Sequence, residues 1–256
     1  MTRPQSRIAI VSAMHEELAA VLALMPDEHK TVVAGREFWL GHWHGHEVVA
    51  VLSRIGKVAA ATTATVLLER FGVKRIVFTG AAGGLAPGVK VGDIVVARDF
   101  LQHDLDASPI FPRHEVPLYG LARFPTDARL SAALAQAAAA VLAAPVATLG
   151  ADAVAEFALT APQVHQGLVV SGDRFVATTA ESLALQSDLP EALAVEMEGA
   201  AFAQVCHDYR VPFAAVRTVS DRADDAAHGD FMRFIDAVAS RYSAAMLDRF
   251  LQSLRF

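Results

Sequence analysis

Two acidic segments carry the side chains best able to do chemistry in this sequence: Val195-Glu196-Met197-Glu198-Gly199-Ala200 and Val216-Arg217-Thr218-Val219-Ser220-Asp221. Each follows an apolar, strand-like run. An ionised carboxylate is costly in a low-dielectric interior without partners, so such acids belong at strand ends rather than mid-strand. In open α/β sheets the carboxyl ends of strands face the crevice where ligands bind. Two such segments in one chain imply a site in which acids act on a small molecule. Glu196 and Glu198 are two apart, so on extended backbone they share a face, with Met197 on the other. They repel each other unless sugar hydroxyls, a cation or a basic side chain binds them. Arg217 is a candidate partner, and a purely structural ion pair is the plainer alternative. Ser220-Asp221 either caps a following turn or presents an acid.

Glu16 and Glu17 open an expected first helix. The helix dipole favours acids there on structural grounds alone. The functional alternative has one of them pointing from the edge of the first strand into the crevice as a base. The run Thr79-Gly80-Ala81-Ala82-Gly83-Gly84 after a strand either is a tight turn or lets the backbone approach a ligand. It matches neither the P-loop nor the dinucleotide fingerprint. His42, His44 and His46 alternate, but Gly45 interrupts them in an expected hairpin and no acid or Cys completes a metal set. His103-Asp104 with Asp106 is an equally incomplete metal or triad fragment. No metal is expected. Cys206 sits in an apolar helical stretch and reads as core.

These residues must be positioned by elements whose pattern is readable. Buried-strand runs are expected at Ile8–Ser12, Thr31–Val33, Phe38–Leu40, Val48–Leu52, Arg75–Thr79, Asp93–Ala97, Gly167–Ser171, Ala192–Val195 and Phe213–Arg217. Helices are expected at Glu16–Leu24, Lys57–Phe71 stopping at Gly72, Asp127–Ala144 closed by Pro145, Thr179–Gln186 and Gly199–Tyr209. A one-faced closing helix carries Phe231, Phe234, Ile235, Val238, Tyr242, Ala245 and Met246. Gly41 to His46 reads as a hairpin connection, and Leu101 to Tyr119 as a long loop of functional length. Strand–helix alternation gives the α/β class with many parallel strands, and the expected fold is a central twisted mixed sheet flanked by helices. With no repeat, linker or composition break, residues 1–256 read as a single domain.

Composition narrows the function. The 256 residues are 54% hydrophobic and 20% charged, a globular balance with no disorder signature. A net charge of −6 with no long basic run argues against nucleic acid as a partner. The apolar stretch from Ile8 to Met14 is too short for a signal peptide or membrane span, so no membrane association and a cytoplasmic location are expected. The single Cys206 leaves no internal disulfide.

Taken together and in order, these pieces resemble the nucleoside phosphorylase/hydrolase superfamily, and most closely its 5′-methylthioadenosine/S-adenosylhomocysteine nucleosidases. The matching stretches are Ala13–Glu17, Ile55–Ala60, Thr79–Ala86, Val91–Val96, His103-Asp104, Ser171–Phe175, Val195–Glu198 and Ser220-Asp221. The resemblance implies hydrolysis of an N-ribosidic bond, releasing adenine and a 5′-thioribose, without a cofactor. It implies Glu17 as the base that activates water, Glu198 as acceptor from the ribose hydroxyls, and Asp221, oriented by Ser220, as the acid at adenine N7. Further substrate contacts would come from Met197 at the ribose, from Glu196, from Ala82 and Gly83 in the glycine run, and from Phe175 stacked on the purine. The Val176 backbone would read the purine edge, and Arg217 would help hold Glu198 or the water. Met14, Ile55 and Phe231 would line the 5′ pocket. Ile110 and Phe111 would reach across a homodimer into the neighbouring subunit's pocket. Breaking such a bond builds positive charge on the sugar, so one acid must be neutral while another is ionised.

Departures accompany the resemblance. Ala81 stands where the family often has a hydroxyl residue, no arginine adjoins the glycine run in sequence, and the segment from Gly150 to Gln166 is longer than in the commonest nucleosidases. Hydrolysis is favoured over phosphorolysis. The rivals are cleavage of another purine nucleoside (adenosine, futalosine-type) and a catalytically inactive nucleoside-binding module.

Overall fold

The computed structural model describes residues 7–223 and 231–254. The first strand, β1 (Ile8–Ser12), is buried throughout and leads into α1 (His15–Leu22). A meander follows: β2 (His29–Val33), β3 (Arg36–Trp43) and β4 (His46–Leu52). β3 and β4 run further into the expected connection than the sequence suggested, because only His44 and Gly45 form the turn. Both have positive φ, 50° and 78°, the twist that a two-residue hairpin needs. α2 (Lys57–Phe71) ends where Gly72 adopts the left-handed conformation, as its sequence position predicts.

β5 (Arg75–Gly84) overturns the tight-turn alternative for the glycine run. The run continues as strand because both its neighbours pair with it: β10 (Phe213–Asp221) in parallel through Gly83, and β9 (Ala192–Glu196) in antiparallel at Gly83 and Gly84. Glycine here serves close approach. A Cβ on Gly83 would lie 3.0 Å from an oxygen of Asp221, and one on Gly80 3.6 Å from the guanidinium carbon of Arg217.

β6 (Ile94–Gln102), β7 (Arg123–Pro125) and α3 (Ala128–Leu142, capped by Asp127) come next. Pro145 does not merely close α3: it opens α4 (Pro145–Leu149), followed by α5 (Ala151–Glu156). The Gly150 to Gln166 segment thus folds as α5 and the start of β8 (Val164–Ser171), with Ala153 and Leu159 in the core beside Leu149 of α4. α6 (Thr179–Asp188), α7 (Gly199–Tyr209), α8 (Phe231–Phe234), a π-helical turn over Ile235–Ala239 and α9 (Ser240–Ser253) complete the described elements.

All the strands join one sheet in the order β10-β6-β8-β9-β5-β1-β4-β3-β2, with β7 on β6. It is mixed, as expected, with more antiparallel pairing than strand–helix alternation alone suggests. β1 lies parallel to β4 and β5, while β3 with β4, β5 with β9 and β6 with β10 are antiparallel. Because β10 pairs with both β5 and β6, the strands β5, β9, β8, β6 and β10 close on themselves. One face packs on α1, α3 and α9, and the other on α2 and α7. Gly199, first residue of α7, touches the ring of Phe100: an added Cβ would come within 2.1 Å of it. Gly199→Ala is expected to destabilise the fold by about 1–3 kcal/mol, read as a lower urea midpoint.

Candidate active site

β1, β5, β9 and β10 all reach the same edge of the sheet, and a cavity opens there. Its wall includes Ala13 and Met14 after β1, Ile55 before α2, and Ala81, Ala82 and Gly83 of β5. Arg174, Phe175 and Val176 after β8 continue it, then Val195, Glu196, Met197 and Glu198, Ser220 and Asp221, and Phe231. The sequence-based expectations for Met14, Ile55, Ala82, Gly83, Phe175, Val176, Glu196, Met197, Glu198, Ser220, Asp221 and Phe231 therefore converge on one hollow. Phe175 and Phe231 meet edge to face, their centroids 6.1 Å apart. Ala13, Arg174 and Val195 are wall residues that lie within the matching stretches but carry no assigned role of their own there. Ala13 and Val195 are small or aliphatic strand-end positions, and Arg174 is tied to Glu181.

The two glutamates after β9 do not share a face. The chain leaves the extended conformation at Glu198 (φ −134°, ψ −35°), which caps α7, so the side chains diverge. Glu196 turns into the protein. It accepts from Arg217 Nη2 at 2.8 Å, from the backbone N–H of Glu198 and Gly199 at 3.2 and 2.9 Å, and from the Ser171 hydroxyl. Arg217 also donates to the carbonyls of Phe78 and Val216 and lies over the Phe78 ring. Hence Arg217 pairs with Glu196, not Glu198, and belongs beneath the cavity rather than in its wall. It also corrects the sequence-based absence of arginine beside the glycine run, since it lies against Gly80 from the next strand. Removing one member of so buried a pair would strand the other charge.

Glu198 is left facing the cavity. One oxygen accepts from the Gly56 N–H at 2.8 Å, where φ of +92° suits glycine. Burial, reinforced by the Glu196 charge, raises its pKa above the ordinary carboxylate range. Asp221 ends β10 with Ser220 Oγ donating to it at 2.7 Å and the Ala223 N–H at 2.7 Å. Glu17 is not a wall residue. It is fully buried behind Met14, whose N–H donates to one of its oxygens at 3.1 Å. That bond is half of a capping box, so the structural explanation accounts for one oxygen. The other has no hydrogen-bond partner among the described residues. Burial pushes Glu17 up to about 7, against the opposing pull of the Met14 N–H and Arg217.

The remaining candidates have structural duties. Asp104 accepts from Lys57 Nζ and from the Asp173 N–H, while Asp173 accepts from the Lys57 N–H, which locks three loops at the rim. His42 faces Asp27, His44 faces Asp248, and His46 the Leu251 carbonyl, so the alternating histidines fan out to different partners. Ile110, 82% exposed, and Phe111 lie in the loop after β6 and outside this cavity's wall.

An acid at the α7 cap and another at the β10 end line a hollow with aromatic and aliphatic walls, and a third acid is buried behind Met14. Such a site can grip a small molecule with a flat ring and hydroxyls and move protons on and off it. Similarity to known proteins agrees with that chemistry. A family model described as the phosphorylase superfamily matches residues 7–252. The 5′-methylthioadenosine/S-adenosylhomocysteine nucleosidase of Neisseria meningitidis, solved with methylthio-immucillin-A, superposes with a TM-score of 0.85 at 33% identity, covering 97% of this chain and 100% of that one. The S-adenosylhomocysteine nucleosidase of Streptococcus pyogenes gives 0.85 at 32%, over 100% of both chains. Futalosine hydrolase of Helicobacter pylori gives 0.82 at 31%, over 98% of this chain and 99% of that one. Since the family match runs from β1 to within α9 and so spans every strand that brings an acid to this edge, the chain belongs to the phosphorylase superfamily.

Proposed function

We propose that the protein hydrolyses the N-ribosidic bond of 5′-methylthioadenosine, S-adenosylhomocysteine or both, releasing adenine and a 5′-thioribose. The observation that carries this reading is that Glu198 and Asp221, remote in sequence, share one cavity wall with Met14, Ile55, Phe175 and Phe231, while Glu17 is hydrogen-bonded directly behind Met14. Glu17 takes a proton from water, and Glu198 accepts from the ribose hydroxyls beside Met197. Asp221, oriented by Ser220, protonates the purine as it leaves. Phe175 stacks on the base, and the Val176 backbone reads its edge. Arg217 supports the ribose anchor indirectly, through Glu196.

Incubation with methylthioadenosine, with and without phosphate, tests the reading. Free adenine and the 5′-thioribose in both arms are expected, and ribose 1-phosphate chemistry appearing only with phosphate would make the chain a phosphorylase. The likeness to futalosine hydrolase motivates futalosine as the second substrate in the panel. Binding of these nucleosides with no base released would reject catalysis.

The 1–256 chain acts as one domain in this reading, in the cytoplasm and as a homodimer. No described helix is long and apolar enough to cross a membrane. Ile110 and Val58 are 82% and 80% exposed, as expected of side chains that a second copy covers, with Phe111 reaching the neighbour's pocket. Sedimentation analysis giving the mass of one chain would remove the homodimer.

A further inference from the structure

Among the described residues, four buried side-chain oxygens on one face of the sheet have no hydrogen-bond partner: Ser12 Oγ, Glu17 Oε1, Thr218 Oγ1 and Tyr242 Oη, and of these Glu17 and Thr218 belong to the same row of that face. A buried hydroxyl left unpaired costs stability, so such groups call for an explanation. The shared face follows from the pleat. Val216 packs in the core that also holds Leu18 and Val21 of α1, and Thr218, two residues on, projects to the same side. Glu17 lies one helical turn before Val21, so it faces that side as well. Thr218 is the registered parallel partner of Ala81, whose methyl group packs against the same core. β5 runs between β10 and β1, with Ser12 beside Thr79 and Met14 following at the level of Ala81. Glu17 is anchored to Met14 by its other oxygen. Across this row stand Glu17 above the end of β1, only a methyl group in β5, and the Thr218 hydroxyl in β10.

Resting on the reading of Glu17 as the base, we propose that Thr218 is a positioning residue. Its hydroxyl donates to water held over the Ala81 methyl, and that water donates to the free oxygen of Glu17. Thr218 is 1% exposed and absent from the cavity wall, so it acts through Glu17 and touches no substrate. A water in that row would have polar partners on both sides, as a buried water needs. The charged groups acting on Glu17 are Arg217 from β10 and Glu16 on its own helix, with the Met14 and Ala13 N–H groups. A water donating to Glu17 adds support for its ionised form, so losing it moves ionisation to higher pH.

The test compares the parent protein with Thr218→Val, which keeps the shape and removes the hydroxyl, Thr218→Ser, and the pair Ala81→Ser with Thr218→Val. Adenine release from methylthioadenosine is followed against pH, and the Glu17 carboxyl is titrated by carbon-13 NMR, assigned with Glu17→Gln. Thr218→Val should lower kcat about tenfold, less than loss of the base itself, with KM within about twofold. The acid limb of the profile and the NMR midpoint should both move up by about half a pH unit or more. Thr218→Ser should resemble the parent, and Ala81→Ser, returning a hydroxyl one strand nearer Glu17, should recover most of the loss. Thr218→Val with kcat within about twofold of the parent and an unmoved limb overturns the proposal. So does a loss shared by Thr218→Ser, or one that brings lower thermal stability without a shift in titration. If the parent releases no adenine, it is the functional reading that fails. The NMR midpoint then still decides the link, and an identical value in parent and Thr218→Val rejects it.

Discussion

Asp221→Asn lowers turnover of methylthioadenosine by about 10²–10⁴-fold while leaving its affinity nearly unchanged, the range expected when a general acid is removed. Asparagine keeps the size of the side chain, and its carbonyl can still accept from the Ala223 N–H that holds Asp221 at 2.7 Å. The room that Gly83 leaves beside the carboxyl suits the amide equally well. What disappears is a proton that can be given up to the departing base. Adenine is a poor leaving group as an anion, so the barrier rises although the pocket still fits. Single-turnover release of adenine measures the loss, and calorimetric titration with methylthioadenosine measures the affinity. A variant retaining more than about a tenth of parental turnover would remove Asp221 from the chemistry.

Glu17→Gln has two opposite consequences. Turnover falls by about 10²–10⁴-fold because no base remains to take the proton from water. The parental kcat/KM should rise with pH through about 7 as Glu17 ionises, and the variant should lack that limb. Stability moves the other way. The folded-state pKa is raised from 4.5 to about 7, so the folded protein holds the proton more tightly than the unfolded chain. Parental stability therefore declines as pH rises between those values, and the deficit persists above them. Glutamine carries no charge to bury, and its carbonyl can still accept from Met14. The variant should match the parent near pH 4 and exceed it at pH 8 by about 1–3 kcal/mol. Urea unfolding at both pH values checks this, and equal differences at the two would mean that Glu17 stays neutral or is solvated.

Elements with strong local punctuation were legible in the sequence. α2 stops at the glycine that caps it, and α7 spans Gly199–Tyr209 as its periodicity indicates. The acids were legible too, because an apolar strand that ends in a carboxylate has few places to go. Features governed by distant partners were not. The glycine run lacks any β-forming side chain, and only pairing with β9 and β10 makes it a strand. Which pairs of the mixed sheet run antiparallel depends on how β9 and β6 are inserted between other strands. The allegiance of Arg217 depends on where Glu196 points once the chain turns at Glu198, and no spacing rule contains that turn. α4 and α5 escaped notice because alanine-rich sequence beside a proline marks the end of one helix as readily as the start of another.

Glu196 joins β8 through Ser171, β10 through Arg217 and the start of α7 through two amides, so its one carboxylate fixes three elements against each other. Substitutions at Ser171, Glu196 and Arg217 should consequently be strongly epistatic. Once one member is gone the others have little left to lose, and double mutants should fall well short of the summed single losses. The same dependence restricts how this sequence can drift. A viable lineage would have to exchange the three together, or pass through intermediates in which the turn that presents Glu198 to the cavity has lost its footing.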